Sequence, residues 1–464
     1  MGEKMQNHEF HPSVLREYDV RGIVGETLSP TDAYAVGRSF GTIVARDGGD
    51  RVAVGYDGRL TSVEMVENLA RGLNDAGIHA LRIARGPTPM LYFSVFHLAA
   101  DAGIMVTGSH NPSDYNGFKF MLGHQPFFGG QIQELGRMAS AGDWEEGPGG
   151  IEDHDVRSAY LDELAAAYTT DIPLSVGWDC GNGAVGDILP DLIARLPGRH
   201  VSLNDVVDGT FPAHHPDPTV AENLVQLQTA VTDGKLDLGV GFDGDGDRIG
   251  VVDGLERILW GDQLLALLSR DVLAEHPGST IIADVKASQV LFDEVARLGG
   301  TPVMYKTGHS LIKSKMAETK SPLAGEMSGH IFFADKYYGF DDALYVAVRF
   351  LDAVAKSGQS VAELRDSLPQ MVNTPEVRFD CDDTRKFQVV NEVVAALRAE
   401  GAEFSDVDGA RVSTPDGWWL LRASNTQPVL VVRCESSDEA GLTRLKAAVT
   451  AALVPSGVTP PAGF

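Results

Sequence analysis

The most informative stretch of this sequence is a run of three aspartates, Asp243-Gly-Asp-Gly-Asp247, followed by Arg248. Carboxylates at positions i, i+2 and i+4 share one side only when the backbone is extended or turning, because a helix would direct the middle one away. Converging carboxylate oxygens suit a hard cation such as Mg²⁺ better than a soft transition metal. The run therefore predicts a magnesium site at Asp243, Asp245 and Asp247.

Three other interpretations of this run are weaker. An EF-hand calcium loop needs Gly at its sixth position and Glu at its twelfth, where this chain has Arg248 and Gly254. A dinucleotide-binding pattern, Gly239-x-Gly241-x-x-Gly244, overlaps the run, but carboxylates would repel a pyrophosphate and no helix pattern follows at once. A solvated acidic turn is disfavoured because the run follows a strongly apolar strand.

Three further polar stretches follow strand-like runs. Thr107-Gly-Ser-His-Asn-Pro112 makes Ser109 a candidate nucleophile, although its spacing differs from the G-x-S-x-G turn of hydrolases. Gly325-Glu-Met-Ser-Gly-His330 combines an acceptor, a hydroxyl and an imidazole, which suits the adjacent hydroxyls of a sugar. Arg422-Ala-Ser-Asn-Thr426 combines a guanidinium, two hydroxyls and an amide, which suits a phosphate. The Ser109 stretch could also be a plain loop whose hydroxyl bonds its own backbone, and the Arg422 stretch a helix cap or turn.

Cationic side chains near the ends of other predicted strands add only support, because a single Lys or Arg is usually solvated. Lys119 follows the Ser109 loop closely and could hold a phosphate there. The others in this group are Arg21, Arg59, Lys286 and His309.

The elements that must position these loops form a repeated pattern. Val54-Gly-Tyr-Asp57 is echoed by Val176-Gly-Trp-Asp179 and, more loosely, by Ile282-Ala-Asp284, and each is followed by a second apolar strand that leads into a polar loop. Any α/β chain shows some such echoes. Three α/β domains of one plan would each place a loop at the carboxyl end of a strand, where open α/β sheets bind ligands.

Local patterns predict several boundaries. Thr61-Ser-Val-Glu64 has the form of a capping box that opens a helix ending at Gly77. The Gly-rich stretch from Gly142 to Gly150 is typical of a linker. The last ninety or so residues lack the parallel alternation, with helices predicted over 387–397 and 440–453 and a turn at Pro415-Asp-Gly417, which indicates a small α+β domain.

Composition excludes several classes of partner. The chain has 464 residues, with 38 Lys+Arg against 65 Asp+Glu, so its formal charge is −27. A nucleic-acid backbone or an anionic membrane would need a basic face, so we expect neither as a partner. The three cysteines are far apart and form no C-x-x-C pair, which predicts reduced thiols and a cytoplasmic protein.

Taken together and in this order, the four loops resemble those of the α-D-phosphohexomutase family, in particular its bacterial phosphomannomutase/phosphoglucomutase branch. The resemblance begins at Leu15-Arg-Glu-Tyr-Asp-Val-Arg-Gly22 and covers nearly the whole chain. It implies three similar α/β mixed-sheet domains plus a C-terminal α+β domain around a central cleft. The implied divisions are a phosphoserine-loop domain (1–154), a metal-binding domain (155–256), a sugar-binding domain (257–369) and a C-terminal phosphate-binding domain (370–464).

The resemblance also implies an isomerase that moves a phosphoryl group reversibly between O1 and O6 of mannose and glucose phosphates. Ser109 would carry the phosphoryl group and a hexose 1,6-bisphosphate would be the intermediate. The metal would be Mg²⁺, held by Ser109 with Asp243, Asp245 and Asp247. The implied catalytic residues are Ser109, His110, Lys119, Arg248 and His309, and the implied substrate-binding residues are Tyr18, Arg21, Lys286, His309, Glu326, Ser328, His330, Arg422, Ser424, Asn425 and Thr426.

Elementary chemistry is consistent with these roles and leaves one open. Phosphoryl transfer needs in-line positioning and charge stabilisation. Serine is a poor nucleophile, so Ser109 needs a base once it has lost its phosphate, and we expect Lys119 or His309 to be preferred over His110.

Three alternatives stay open at this stage. A phosphoglucosamine mutase is disfavoured because such enzymes usually carry Gln where this chain has Met327. A Mg²⁺-dependent phosphohydrolase using the same serine would not need two phosphate sites. A catalytically silent binding protein would not need Ser109, Lys119 and all three aspartates. We expect a monomer.

Overall fold

The structure is a computed structural model that describes residues 5–461 and 464. It contains four β-sheets, each built from a consecutive part of the chain, in the order seven, five, four and six strands. The first three sheets are mixed and the fourth is antiparallel. This architecture confirms the predicted fold class.

The first unit is a mixed sheet with helices on both faces. Val52 and Val54 of its second strand pack into one core, and Ala53 between them packs into the other, as the alternation of side chains along a strand requires. Ser29 caps the first helix, because its hydroxyl accepts from the Asp32 N–H while Asp32 bonds back. The elements are β1 (Val20–Ile23), α1 (Pro30–Arg46), β2 (Arg51–Tyr56), α2 (Ser62–Asp75), β3 (His79–Arg85), α3 (Thr88–His97), β4 (Ala102–Val106), β5 (Tyr115–Leu122), β6 (Gln125–Pro126), α4 (Gly130–Ala141) and β7 (Gly150–Asp153).

The second and third units follow with shorter sheets. The second contains α5 (Arg157–Ala166), β8 (Leu174–Asp179), α6 (Leu189–Ile193), β9 (Gly198–Leu203), α7 (Val225–Gly234), β10 (Leu238–Phe242), β11 (Ile249–Asp253) and β12 (Ile258–Leu259). The third contains α8 (Gly261–Glu275), β13 (Thr280–Asp284), α9 (Gln289–Arg297), β14 (Thr301–Tyr305), α10 (His309–Thr319), β15 (Leu323–Gly325), β16 (Ile331–Phe333), α11 (Ala343–Ser357) and α12 (Val361–Asp366).

The three sheets share one four-strand arrangement, which confirms the predicted repeat. The strand orders are β3-β2-β4-β5, β9-β8-β10-β11 and β14-β13-β15-β16. In each, the first three strands are parallel and the fourth is antiparallel. The polar loops predicted to carry chemistry join the third strand to the fourth, so all three leave the same position in the sheet.

The fourth unit is a small α+β domain, as predicted. Its elements are β17 (Val372–Asn373), β18 (Val377–Asp380), α13 (Asp383–Glu400), β19 (Phe404–Ser405), β20 (Ala410–Thr414), β21 (Gly417–Ala423), β22 (Val429–Ser436) and α14 (Glu439–Leu453). Arg411 connects it to the third unit: Nη1 donates to the carbonyls of Val285 and Ala287 at 2.7 Å each, and the guanidinium lies 3.8 Å from the Trp418 ring centre.

Two local predictions were wrong. Thr61 does not form a capping box: its backbone is helical (φ −88°, ψ −11°), and its hydroxyl accepts from Asn116 Nδ2 at 2.9 Å instead. The stretch from Gly142 to Gly150 is not a linker between units, because β7 begins at Gly150 and pairs with β3 inside the first sheet.

Candidate active site

Four loops from the four units meet in one place. The Ser109 hydroxyl donates to Asp243 Oδ2 at 2.9 Å, which joins the first unit to the second. His330 Nε2 lies 3.3 Å from Asp247 Oδ1, which joins the third unit to the second. Asn425 Nδ2 of the fourth unit donates to the hydroxyl of Tyr18 at 2.7 Å. The chain therefore brings all four predicted motifs together.

The three aspartates lie in the tight turn between β10 and β11. Gly246 at φ +74° makes the turn possible, and all three side chains are fully buried. Their carboxylate oxygens lie within 4.8 Å of one another. Asp243 Oδ1 accepts the N–H groups of Asp247 (3.1 Å) and Arg248 (3.2 Å), which holds the turn closed.

Ser109 faces this turn from the loop between β4 and β5. It is buried and has a left-handed backbone (φ +49°), and its N–H donates to Thr107 Oγ1 at 2.8 Å. A Cβ on Gly244 would lie 2.5 Å from the Ser109 carbonyl oxygen, so the missing side chain permits this approach. The Ser109 Oγ also lies 3.2 Å from Nδ1 of His110.

Lys119, on β5, enters the aspartate cluster directly. Its Nζ donates to Asp245 Oδ2 at 2.8 Å and forms a second ion pair with Asp247. Burial lowers the pKa of Lys119, but the carboxylates of Asp245 and Asp247 outweigh it and raise the pKa well above its usual value. The two carboxylates thus favour the ammonium form of this side chain.

The pKa values of the aspartates shift in different directions in this environment. Burial, followed by the charges of Asp245 and Asp247, raises the pKa of Asp243 well above its usual value. Burial also acts to raise the pKa of Asp247, but Lys119 and His330 outweigh it and lower that pKa. In the described part of the chain, Asp245 Oδ1 and Asp247 Oδ1 are buried and accept no hydrogen bond.

The loop between β15 and β16 presents Glu326, Ser328 and His330. Glu326 Oε2 lies 3.1 Å from His330 Nδ1, and Ser328 Oγ lies at the same distance from that nitrogen. Burial lowers the pKa of His330, but the Asp247 carboxylate outweighs it and the pKa rises to about 9. Burial raises the pKa of Glu326, but His330 and Lys286 bring it down to about 2. The loop therefore carries a paired imidazolium and carboxylate.

The fourth loop joins β21 to β22. Arg422 is buried, and its Nε donates to Asp408 Oδ2 at 3.0 Å. Ser424 Oγ accepts the N–H groups of Thr426 (3.3 Å) and Gln427, while Thr426 itself is exposed. The hydroxyl of Tyr18 donates to the Thr307 carbonyl at 3.0 Å, so Tyr18 contacts both the third and the fourth units.

Other predicted residues lie at the edges of this cluster. Arg21 Nη1 donates to the Gly108 carbonyl (3.0 Å) and to Asn111 Oδ1 (2.9 Å), and so contacts the Ser109 loop. Lys286 Nζ lies 3.1 Å from Glu376 Oε2. Arg248 Nε lies 3.3 Å from His330 Nε2.

The two remaining base candidates have different surroundings. His309 lies 3.4 Å from Asp341 Oδ2 and stacks on His330 with ring centres 5.3 Å apart. Burial, with Arg248 next, lowers the pKa of His110 well below its usual value, so its imidazole is neutral. The neutral His110 is the histidine in contact with the Ser109 hydroxyl.

Sequence reasoning missed several residues that shape the site. Thr88 donates its hydroxyl to Asp245 Oδ2 (2.6 Å), and Asp341 forms an ion pair with Lys313 (2.9 Å) beside His309. Asp408 accepts from both Arg422 and the Thr307 N–H. None of them belongs to a motif, and only their position in the fold identifies them.

Comparison with known families and proteins agrees with this geometry. Residues 13–140, 158–256 and 260–372 match phosphoglucomutase/phosphomannomutase alpha/beta/alpha domains I, II and III, and residues 376–452 match the C-terminal domain of the same family. The chain therefore belongs to the phosphoglucomutase/phosphomannomutase family, and it is an isomerase of the phosphotransferase type.

Individual relatives match over almost their whole length. A phosphomannomutase/phosphoglucomutase of Pseudomonas putida is 43% identical over 434 residues, 94% of each chain. A phosphoglucomutase of Neisseria gonorrhoeae is 41% identical over 437 residues, 93% of this chain and 95% of the relative. The crystal structure of a phosphoglucomutase/phosphomannomutase family protein from Burkholderia thailandensis has a TM-score of 0.93 at 40% identity, covering 98% of this chain and 100% of that one.

Proposed function

We propose that this protein transfers a phosphoryl group reversibly between O1 and O6 of mannose and glucose phosphates, through a phosphorylated Ser109 and a hexose 1,6-bisphosphate. The observation that carries the proposal is the Ser109 hydroxyl 2.9 Å from Asp243, inside a buried cluster of three carboxylates. Relatives named phosphomannomutase/phosphoglucomutase and phosphoglucomutase support both sugars.

The aspartate cluster fits Mg²⁺. Asp245 Oδ1 is a buried hard ligand that accepts no hydrogen bond from the described residues, and Asp247 Oδ1 is a second one that lies 3.3 Å from His330 Nε2. Asp243, Asp245 and Asp247 would hold the ion together with an oxygen on Ser109. When bound, Mg²⁺ would neutralise charge on the transferring phosphoryl group.

Cationic side chains would balance the charge that remains. Three aspartates and a phosphoserine of nearly −2 exceed a divalent cation by about three charges. Lys119, Arg248 and the His330 imidazolium supply about three positive charges beside the aspartate turn. We therefore assign Lys119 a charge-stabilising role, and His110, 3.2 Å from the Ser109 oxygen, the role of moving the serine proton.

The two outer loops would bind the rest of the substrate. Glu326 and Ser328, which flank Met327 in the turn after β15, would bind the sugar hydroxyls. Arg422, Ser424, Asn425 and Thr426 would hold the phosphate that is not being transferred. Because the bisphosphate must turn end for end between the two transfers, one distal site has to accept either phosphate.

Coupled assays with glucose 1-phosphate and mannose 1-phosphate test this function. We expect formation of the corresponding 6-phosphates without release of inorganic phosphate. Release of inorganic phosphate with no 6-phosphate would identify a phosphohydrolase instead. A much faster reaction with glucosamine 1-phosphate would identify a phosphoglucosamine mutase.

We further propose a cytoplasmic monomer with four domains, because one chain supplies every loop of the site. In the described residues, the helices are all too short or too polar to span a bilayer. We keep the boundaries near 154 and 370 as part of this proposal. Since β12 pairs with β11 in the second sheet, we place the middle boundary after Leu259 and not at 256. Light scattering in solution would test the monomer.

A further inference from the structure

Arg59 lies against the backbone of the Ser109 loop. It follows β2 in the turn Asp57-Gly-Arg59, and its side chain is fully enclosed, with none of its surface exposed. A buried guanidinium must satisfy its donors within the protein, because an unpaired buried charge is strongly unfavourable. The partners of Arg59 therefore show what it supports.

The guanidinium of Arg59 bonds to the backbone of a single loop. Four carbonyl oxygens between β4 and the start of β5 accept its hydrogen bonds: Ser109 (2.8 Å) and Asn111 (2.6 Å) from Nη2, and Pro112 (2.5 Å) and Tyr115 (2.9 Å) from Nη1. Charge-assisted hydrogen bonds are stronger than neutral ones, so these four bonds hold the loop more firmly than neutral contacts would.

Asp57 completes this support from the other side. Its Oδ2 accepts from the Thr107 hydroxyl (2.8 Å) and the Gly108 N–H (3.2 Å), and lies 3.2 Å from Arg59 Nε. Asp57 thus holds the start of the loop while Arg59 holds the rest. A Cβ on Gly108 would lie 2.3 Å from Arg59 Cζ, so the loop backbone lies directly against the guanidinium.

The metal-binding domain closes the site around Arg59. The ring of Phe211 lies 5.1 Å from Arg59 Cζ, within the range of a cation–π contact. A Cβ on Gly209 would lie 2.6 Å from Arg59 Cα, so this segment also packs against the Arg59 backbone. One side chain is thereby in contact with the Ser109 loop of the first domain and with the domain that carries the aspartates.

We propose that Arg59 is a positioning residue for phosphoryl transfer, which holds Ser109 in its left-handed conformation and so keeps the serine oxygen beside Asp243. In this role it acts through the backbone carbonyls of the Ser109 loop. The inference rests on the proposed function. It predicts that loss of the guanidinium lowers kcat for phosphoryl transfer while the KM for the sugar phosphate, set by the two outer loops, changes little.

A buried arginine could also serve stability alone, and Arg38 provides the matched control. Arg38 is equally buried in the same domain, lies 5.0 Å from the Trp144 ring centre, and donates to the Glu145 carbonyl at 3.1 Å. It has aromatic and carbonyl partners like those of Arg59, but none of these partners belongs to the Ser109 loop.

The experiment compares Arg59→Lys with Arg38→Lys by steady-state kinetics and by calorimetric melting. It also measures the rate at which glucose 1,6-bisphosphate phosphorylates Ser109, followed by intact mass. We expect both variants to lose thermal stability. Arg59→Lys should lower kcat and the phosphorylation rate at least tenfold with KM within twofold, and Arg38→Lys should change kcat less than twofold. Equal kcat losses in the two variants, or a loss confined to KM, would overturn the inference.

If Arg59→Lys does not fold, a second variant tests whether Arg59 positions the Ser109 loop. Phe211→Leu removes the ring over the guanidinium and leaves the loop sequence intact, and we expect it to lower kcat severalfold at unchanged KM. Wild-type kcat in Phe211→Leu would contradict the proposed positioning through the second domain. If the wild-type protein is an active mutase and neither substitution changes its kcat, this inference is rejected and the proposed function stands. If the wild-type protein has no mutase activity, the proposed function is rejected.

Discussion

The hydroxyl of Tyr18 helps to hold the site closed, by which we mean the first, third and fourth domains in contact around it. Its removal tests this closure most cleanly. The hydroxyl donates to the Thr307 carbonyl at 3.0 Å and accepts from Asn425 Nδ2 at 2.7 Å, so one oxygen joins the first, third and fourth domains. Tyr18→Phe deletes these two hydrogen bonds and keeps the ring, which packs close to Gly308.

The size of the effect follows from those two bonds. Each neutral hydrogen bond contributes about 0.5–1.5 kcal/mol, so the closed arrangement loses about 1–3 kcal/mol in total. At about 1.4 kcal/mol per factor of ten, closure becomes less favourable by a factor between about 5 and 150. Because the Asn425 loop is proposed to bind the distal phosphate, we expect this factor to be an upper limit on the rise in KM. The kcat at saturating substrate should change less than threefold.

Steady-state kinetics with glucose 1-phosphate measures both quantities. Tyr34→Phe is the matched control, because Tyr34 also makes two hydroxyl hydrogen bonds, to Asp75 (2.7 Å) and from Arg38 (3.3 Å), but within the first domain. We expect wild-type KM in the control. A Tyr18→Phe variant with unchanged KM and reduced kcat would refute the reasoning, because the hydroxyl would then serve the transfer step and not closure.

Three further predictions concern the serine, the metal and a buried carboxyl. Ser109→Ala should lower mutase activity at least a thousandfold, and activity within tenfold of wild type in the coupled assay would contradict the assignment of the nucleophile. Removal of divalent cations by a chelator should abolish activity, and Mg²⁺ should restore it; activity that persists after complete chelation would contradict the metal assignment. Asp342 accepts from the hydroxyls of Tyr160 (2.8 Å) and Tyr337 (2.6 Å), and burial raises its pKa to about 6. The folded state then binds more protons than the unfolded state between about pH 4 and pH 6, so stability falls as the pH rises, by at most about 3 kcal/mol. The melting temperature of the wild type should therefore fall relative to that of Asp342→Asn by a few degrees between pH 4.5 and pH 7.5, and a constant difference would show that Asp342 has an ordinary pKa.

Much of the fold was predictable because local patterns and tertiary structure agree. The runs ending at Asp57, Asp179 and Asp284 became β2, β8 and β13, each beside a parallel strand that carries a loop. Parallel strands are buried on both faces of the sheet, so their sequences are continuous apolar runs that can be recognised without the structure.

The failures came from contacts that no local pattern records. The Thr61 hydroxyl was expected to cap α2, but Asn116 on β5, far away in sequence, donates to it. The glycine-rich stretch before Gly150 was expected to be a linker, but β7 follows it and pairs with β3. In both, the deciding partner lies on another element.

The site shows the same division. Spacing alone indicated the three aspartates, because a metal site needs carboxylates that converge in one turn. Ser109 was a candidate nucleophile from its loop, and its role came from the family resemblance. In the sequence Arg59 is one of several cations near strand ends, whereas in the structure its guanidinium bonds to the Ser109 loop and its side chain is enclosed. Asp341 and Asp408 had no motif at all, because each acts through a neighbour that only the folded chain brings near.

The intact mass of the purified protein, before and after exposure to glucose 1,6-bisphosphate, tests the central claim most directly. The proposed cycle predicts a species heavier by one phosphoryl group, with the modification located on Ser109 by peptide mapping and absent from Ser109→Ala. A protein that turns over glucose 1-phosphate but never carries a phosphoryl group on Ser109 would contradict it.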